Sequence, residues 1–378
     1  MGHKSVREYL ASIVERYRGA GRKYKTRILD EFCAVSGRHR KHAIRLLSEK
    51  HKGRKRKPGR PSRYGEAERK VLEAIWLAAG RLCSKRLQAA ISTWLPWYEL
   101  EHGRLDTKVR SNLLGISPRT LDRVIRPVRK RHGSRGRCGT RPGTLLRNQI
   151  PIKTEHVDVN KPGVVEADMV AHCWISLEGS FMWSLTLTDI FSTWTENRAV
   201  WNKGYEGVKE AIDNVEQNLP FRITGFHSDN GGEFLNYHLI RFLQDRDRPV
   251  NVTRGRPYHK DDTAHVEQKN YTHVRALLGY QRIEDPELRG PINELYRLWS
   301  LYNNLSIPSL KLVEKVKVGS HYIKRYGTPQ TPYQRLMESP DVNEAMKTHL
   351  TELFANINPF SLNSQIQRKR AEILSKLR

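Results

Sequence analysis

The chain has 378 residues and a formal charge of +27, a length that suits two or three domains with ample core. Residues 1–150 hold 38 of the 67 Lys and Arg but only 12 of the 40 Asp and Glu, an asymmetry that predicts a polyanion partner, nucleic acid first, over a merely solvated surface. Composition argues against a membrane protein, since no uninterrupted apolar run approaches the ~20 residues of a span; no signal peptide is visible, and a cytoplasmic chain with free thiols is expected, nucleoid-associated if bacterial.

In chain order, residues 4–18, 24–34 and 38–49 are predicted helices. Ile28, Phe32 and Val35 face inward from the second, and Ala43, Ile44 and Leu47 from the third. Ser36-Gly37 separates the last two, which makes a helix-turn-helix over residues 1–50, with Arg38, Arg40, Lys41 and Arg45 on its outer face. That face is either a DNA contact or a solvated basic surface. Residues 51–65 are a basic linker too rich in Pro and Gly to fold alone. Its Lys57-Pro-Gly-Arg60-Pro core resembles an AT-hook, the alternative being a solvated linker.

Helices follow at 66–79 and 84–98, then a second helix-turn-helix within residues 66–131. Leu113 and Leu114 end one helix, Gly115 turns the chain, Ser117 caps the next helix and Pro118 occupies its first position. Arg119, Arg123, Arg126 and Lys130 form a basic stripe, and Pro127 is expected to kink or shorten the helix. Residues 132–154 are a Gly- and Arg-rich linker. The four cysteines show no close pair; Cys33 with His39 and His42 is the nearest approach to a zinc set, against incidental residues.

Beyond residue 155 the texture changes. Strands are predicted at 163–170, 181–189, 193–200, 221–228 and 249–254, with turns at Glu178-Gly179 and Phe191-Ser192. Helices are predicted at 205–218, 235–245 and 263–278. The order β-β-β-α-β-α-β-α is that of a ribonuclease H-like α/β domain, a mixed sheet with helices on its faces, over residues 155–310. In that order the first and fourth strands are neighbours. Residues 290–304 and 341–378 look helical, and residues 311–335 fit no element, which leaves a mostly helical carboxy-terminal region at 311–378.

Three carboxylates are expected to converge. Asp168 lies in the first strand, Asp229 ends the fourth before an Asn-Gly-Gly turn, and Glu267 lies on the first turns of the 263–278 helix. Clustered carboxylates repel unless a cation compensates, and hard divalent ions prefer oxygen ligands, so Mg²⁺ or Mn²⁺, two ions per site, is the expected cofactor. Rivals are Glu166, two residues from Asp168 on the same strand face, Asp189 and Glu233, taken as turn or structural residues, and Asp261 and Asp262, which precede the helix. Asn230 either orients a phosphate or makes the turn, and Gly231 and Gly232 give the loop its mobility. Lys269 is either a phosphate contact or a solvated lysine. His227 and His265 are not expected as ligands, and Trp174, Trp183, Trp194 and Trp201 are expected in the core.

The segments Ala167-Asp-Met-Val, His227-Ser-Asp-Asn-Gly-Gly-Glu-Phe and Ala264-His-Val-Glu-Gln-Lys-Asn resemble the catalytic core shared by retroviral integrases and insertion-sequence transposases with an Asp-Asp-Glu triad. The spacing from Asp229 to Glu267 exceeds the retroviral pattern slightly, and the His-His-Cys-Cys zinc module of those integrases is absent, so the transposases are the nearer resemblance. The resemblance implies a transposase that binds element ends as a homo-oligomer on duplex DNA, cleaves at the 3′ end and joins it to target DNA. The alternatives are a ribonuclease H-type nuclease without joining and a transposase-derived DNA-binding regulator.

Overall fold

The computed structural model describes residues 3–48, 63–132, 159–228, 237–254, 264–318 and 321–377. The chain divides into two units, one up to Arg63 and one from Tyr64. The first contains α1 (His3–Gly19), α2 (Arg22–Ser36) and α3 (Arg40–Ser48). Ile13, Tyr17, Ile28, Leu29, Phe32, Ala43 and Leu47 are buried together. α2 stops at Gly37, whose φ of +67° and N–H to the Cys33 carbonyl (2.9 Å) form a left-handed cap. Two inward expectations are corrected: Val35 and Ile44 are exposed, and Leu29 takes the buried position on α2. With only three short helices the apolar seam is narrow, and these two side chains lie beyond its edge.

The second unit opens with α4 (Glu66–Ala78), α5 (Ser84–His102), α6 (Thr107–Leu114), α7 (Pro118–Val124) and α8 (Arg126–Arg131). Ser117 caps α7 by accepting the Thr120 N–H (3.3 Å), with Pro118 at the first position. The kink expected at Pro127 is present, since the helix breaks at Ile125 into α7 and α8.

A five-stranded sheet is built from β1 (Val164–Ala171), β2 (Met182–Asp189), β3 (Thr195–Trp201), β4 (Gly225–Ser228) and β5 (Asn251–Arg254), in the order β3-β2-β1-β4-β5. β1, β2 and β3 pair antiparallel, while β1–β4 and β4–β5 pair parallel. The central mixed sheet and the neighbouring first and fourth strands are therefore as the element order predicted. α9 (Tyr205–Asn218) and α10 (Tyr237–Gln244) precede β4 and β5. Gly163 leads into β1 at φ +121°, where an added Cβ would lie 2.7 Å from the Arg222 carbonyl, so only glycine lets the chains approach there.

The period of two divides β1 cleanly. Val165, Ala167 and Met169 join α9 in one core. Glu166, Asp168 and Val170 face the other way, where the predicted 263–278 helix lies. That helix is not uniform. It runs as α11 (Ala264–Lys269), opens into a π-helix over Asn270–Arg275 and closes with α12 (Ala276–Leu278). After a 3₁₀ turn (Pro286–Leu288) comes α13 (Arg289–Ser306).

The 311–335 stretch resolves into a two-stranded ribbon, β6 (Leu312–Val318) and β7 (His321–Tyr326), and then α14 (Pro332–Glu338). α15 (Glu344–Asn356) and α16 (Pro359–Lys376) follow. The helix expected over 341–378 breaks because Asn358 caps α16, accepting the Phe360 N–H (2.9 Å), and Pro359 starts it. α4, α5, α13 and α16 share one core. Trp94 sits fully buried in it and donates its indole N–H to the Ser306 carbonyl (2.9 Å). Among the described residues no helix is long and apolar enough to cross a membrane.

Candidate active site and nucleic-acid faces

Asp168 occupies the fifth position of β1, half-buried. One carboxylate oxygen accepts the N–H of Met169 (2.7 Å), and the other accepts the side-chain amide of Asn270, the first residue of the π-helix. Two residues earlier Glu166 is fully buried, and its Oε2 accepts the N–H of Val266 in the first turn of α11 (3.0 Å). Farther along, Arg275 donates to the Ala171 carbonyl at the end of β1 (2.9 Å). Three side chains thus fasten β1 to the helix that carries Glu267. The π-helix adds a residue to the turn, and it begins at the residue that meets Asp168.

β1 and β4 run in parallel register, Glu166 opposite His227 and Ala167 opposite Ser228. The pairing ends one residue short of Asp168 and Asp229. Asp229, Asn230, Gly231, Gly232 and Glu233 lie outside the described residues, as do Asp261 and Asp262. Glu267 lies in α11. Among the described residues no group of three His, Cys, Asp or Glu side chains stands close enough to hold a metal ion. Asp168 alone of the three expected ligands has a described carboxylate. Its chemistry, a half-exposed hard oxygen donor beside the start of a helix, fits a magnesium-class ion.

The rival carboxylates separate by burial. Glu166 faces α11, and one of its oxygens serves the helix backbone. Asp189 is 1% exposed, accepts the Gly163 N–H (2.9 Å) and both the N–H and hydroxyl of Ser192 (2.7 and 2.6 Å), and so closes the β2–β3 turn. Burial pushes its pKa up against those bonds. His227 is buried, with Nδ1 2.9 Å from the Thr253 hydroxyl; His265 lies in α11. Trp194 is core, 4% exposed, whereas Trp174 is 72% exposed at φ +52°, a correction to its expected burial.

Lys269 is half-buried. Burial, then the nearby charges of Arg86 and Arg335, draws its pKa down to about 7. Arg86 itself donates to the Pro308 carbonyl (2.6 Å), from α5 to the far end of α13.

The expected DNA-contacting side chains divide in the same way. Arg119 and Arg123 on α7, and Arg126 and Lys130 on α8, are all exposed. Beside them opens a cleft of about 760 Å³ lined by Arg81, Lys85, Ser117, Arg119 and Arg129. Arg129 is partly occupied, since it bonds Asp122 (2.7 Å) and Ser84 (2.9 Å). In the first unit Lys41 and Arg45 are exposed on α3, with Arg45 3.0 Å from the His42 ring. Arg40 pairs with Asp30. Arg38 precedes α3 in the turn and contacts His42 (2.7 Å), so it is not on the outer face of the helix as expected. Lys57 and Arg60 lie outside the described residues.

Sequence reasoning missed two working residues. Asn270 stands in the sequence only as the end of the Ala264-His-Val-Glu-Gln-Lys-Asn segment, and Glu166 only as a rival to Asp168. The spacing of two between Glu166 and Asp168, and of three between Glu267 and Asn270, are the signals that place each pair on a common face.

No family model matches the chain. It is 41% identical over 334 residues to the uncharacterized protein y4rM of Sinorhizobium fredii (strain NBRC 101917 / NGR234), covering 87% of this chain and 94% of that one. Among solved structures it is similar to the catalytic core domain of BIV integrase, at 16% identity and a TM-score of 0.28, over 45% of this chain and 91% of that one. That superposition is too loose to identify a fold.

Proposed function

The chain belongs to the same family as y4rM of Sinorhizobium fredii, and we propose that it is a DNA transposase with a ribonuclease H-like catalytic core. The observation that carries this reading is the fastening of β1 to the helix of Glu267 on the Asp168 face, beside a parallel β4 whose register stops one residue before Asp229. In our reading Asp229, the residue that follows the last paired position of β4, is the partner of Asp168. Asp168, Asp229 and Glu267 would then hold the Mg²⁺ or Mn²⁺. Bound there, a metal pair supplies Lewis acidity to the attacking and leaving oxygens of a phosphodiester displacement.

The chain's own residues hold and orient. Asn270 fixes the carboxylate rotamer of Asp168. Glu166 holds the backbone of α11, the helix that carries Glu267, against β1. The exposed arginines of α7 and α8, with Lys41 and Arg45 of α3, bind duplex DNA at the element ends, and the Lys57–Arg60 arm adds a minor-groove contact. A water oxygen attacks phosphorus at the 3′ end of the element and the P–O3′ bond breaks, so the flanking strand leaves with the 5′-phosphate and the element end keeps its oxygen as a 3′-hydroxyl. The freed 3′-hydroxyl then attacks a target phosphodiester, so one bond forms as one breaks and no Ser or Tyr ester intervenes. Joining two ends takes two active sites, which calls for a homo-oligomer on DNA.

The test is strand transfer. An oligonucleotide of the element end should join to plasmid in Mg²⁺, and Asp229→Asn should abolish cleavage while end binding persists. Hydrolysis without joining favours the nuclease, and end binding with neither reaction favours the regulator. Inverted repeats in the DNA flanking the gene supply the end sequence for the assay.

A further inference from the structure

The ribbon β6–β7 is fastened at its root and bare along its blade. At the root, Ser309 and Gln330 form a β-bridge, the Gly327 N–H donates to the Lys311 carbonyl (2.9 Å), and Lys311 donates to the Phe191 carbonyl (2.9 Å). Arg335, 6% exposed, locks the same corner by donating to Ser309 Oγ and O (2.8 and 2.7 Å) and to the Ser192 carbonyl (3.0 Å). Past that corner the burial ends. Val316 and Ile323, opposite one another across the strands, are 42% and 50% exposed. Val318 shares their face and is also exposed, as are Lys324 and Arg325.

Such a ribbon gains nothing from the core it is attached to. Four exposed aliphatic side chains, counting Val313, need a partner to leave water. The charge says which. Residues 311–326 hold five Lys and Arg against one Glu, and an ion pair, Arg325 to Glu314 (3.0 Å), lies at the surface where it contributes little. A second copy of this ribbon would set lysine against lysine. A two-stranded ribbon fits the major groove of duplex DNA, where basic side chains neutralise phosphates and aliphatic ones contact base edges and sugars.

We propose that β6–β7 is a DNA-binding arm that lies in a groove of duplex DNA without regard to sequence, a contact separate from the helix-turn-helix faces. It rests on the reading that the chain acts on DNA. The arm adds affinity for target DNA, which carries no element end.

The experiment measures binding of the full chain to a random-sequence duplex over a salt series. Replacing Lys315, Lys317, Lys324 and Arg325 by Ala should lower the slope of log K against log salt by about three to four, since each phosphate contact contributes about 0.9. Val316→Ser with Ile323→Ser should weaken binding several-fold at an unchanged slope. Val316, Ile323, Lys324 and Arg325 are exposed, and an unchanged melting curve checks that both variants fold. Cleavage of a short element-end oligonucleotide should persist in both. A wild-type slope in the fourfold variant overturns the arm. So does a Val316/Ile323 variant that keeps its affinity but loses self-association in sedimentation, which would assign the apolar face to a second copy. A wild-type chain that neither binds duplex nor cleaves overturns the proposed function itself.

Discussion

β1 and the β6–β7 ribbon are both short strands carrying charge, and they use it in opposite ways. In β1 each carboxylate is committed inward, Glu166 to a helix backbone and Asp168 to Asn270. In the ribbon Lys324 and Arg325 stand in solvent beside exposed Val316 and Ile323. The difference is one of coverage. β1 lies in the middle of a sheet with helices on both faces, where an unmatched polar group is costly. Among the described residues no second layer covers Val316 and Ile323, so these side chains can serve something outside the chain. Charge density alone does not separate internal scaffolding from an interaction surface; the neighbouring layer does.

The comparison can be broken at several points. The largest effect is expected from Asp168→Asn, which should take cleavage to background while duplex binding and the melting temperature hold; an active variant would remove β1 from the chemistry. Next, Asn270→Ala should reduce cleavage by roughly 10–100-fold and raise the Mg²⁺ needed for half-maximal rate, as loss of a ligand-orienting partner does. Ribbon variants should leave that metal titration alone.

Glu166→Ala leaves the buried Val266 N–H without its acceptor and should cost about 1–3 kcal/mol in urea unfolding. Glu166→Gln retains an acceptor oxygen and should recover most of that loss. A destabilised Gln variant would mean that the negative charge, not the bond to Val266, is what matters.

The remaining prediction concerns acid. His172 is buried, its Nε2 2.8 Å from the Ser184 hydroxyl, and burial followed by the Arg275 charge lowers its pKa to about 3. Unfolded, the imidazole titrates near 6.5. Between these values the unfolded chain binds more protons, so stability falls as pH drops from about 6.5 toward 3. His172→Gln should flatten that limb in melting curves taken across the window. Among exposed side chains, Arg119→Ala should reduce the salt slope of DNA binding by about one.

How much was legible depended on whether the deciding signal was local. β1, β2 and α9 were located within a residue, because period-two and period-3.6 burial write themselves into the sequence. Ser117 and Pro118 likewise announced the start of α7. The ribbon was illegible because a strand exposed on both faces has no apolar side to alternate with a polar one. Trp174 misled because a lone aromatic does not report whether anything packs on it. The π-helix has no local composition to mark it.

The sequence by itself determined the charged front of the chain, the order of strands and helices through the central sheet, and Asp168, Asp229 and Glu267 as the carboxylates to examine, because each follows from residue types at short range. Only the tertiary structure decided that Glu166 braces the backbone of α11, that Asn270 meets Asp168, and that the charges of Arg86 and Arg335 act on Lys269. The first two roles come from residues about 100 positions apart brought into contact, and a hydrogen bond across such a separation leaves no mark on the chain around it.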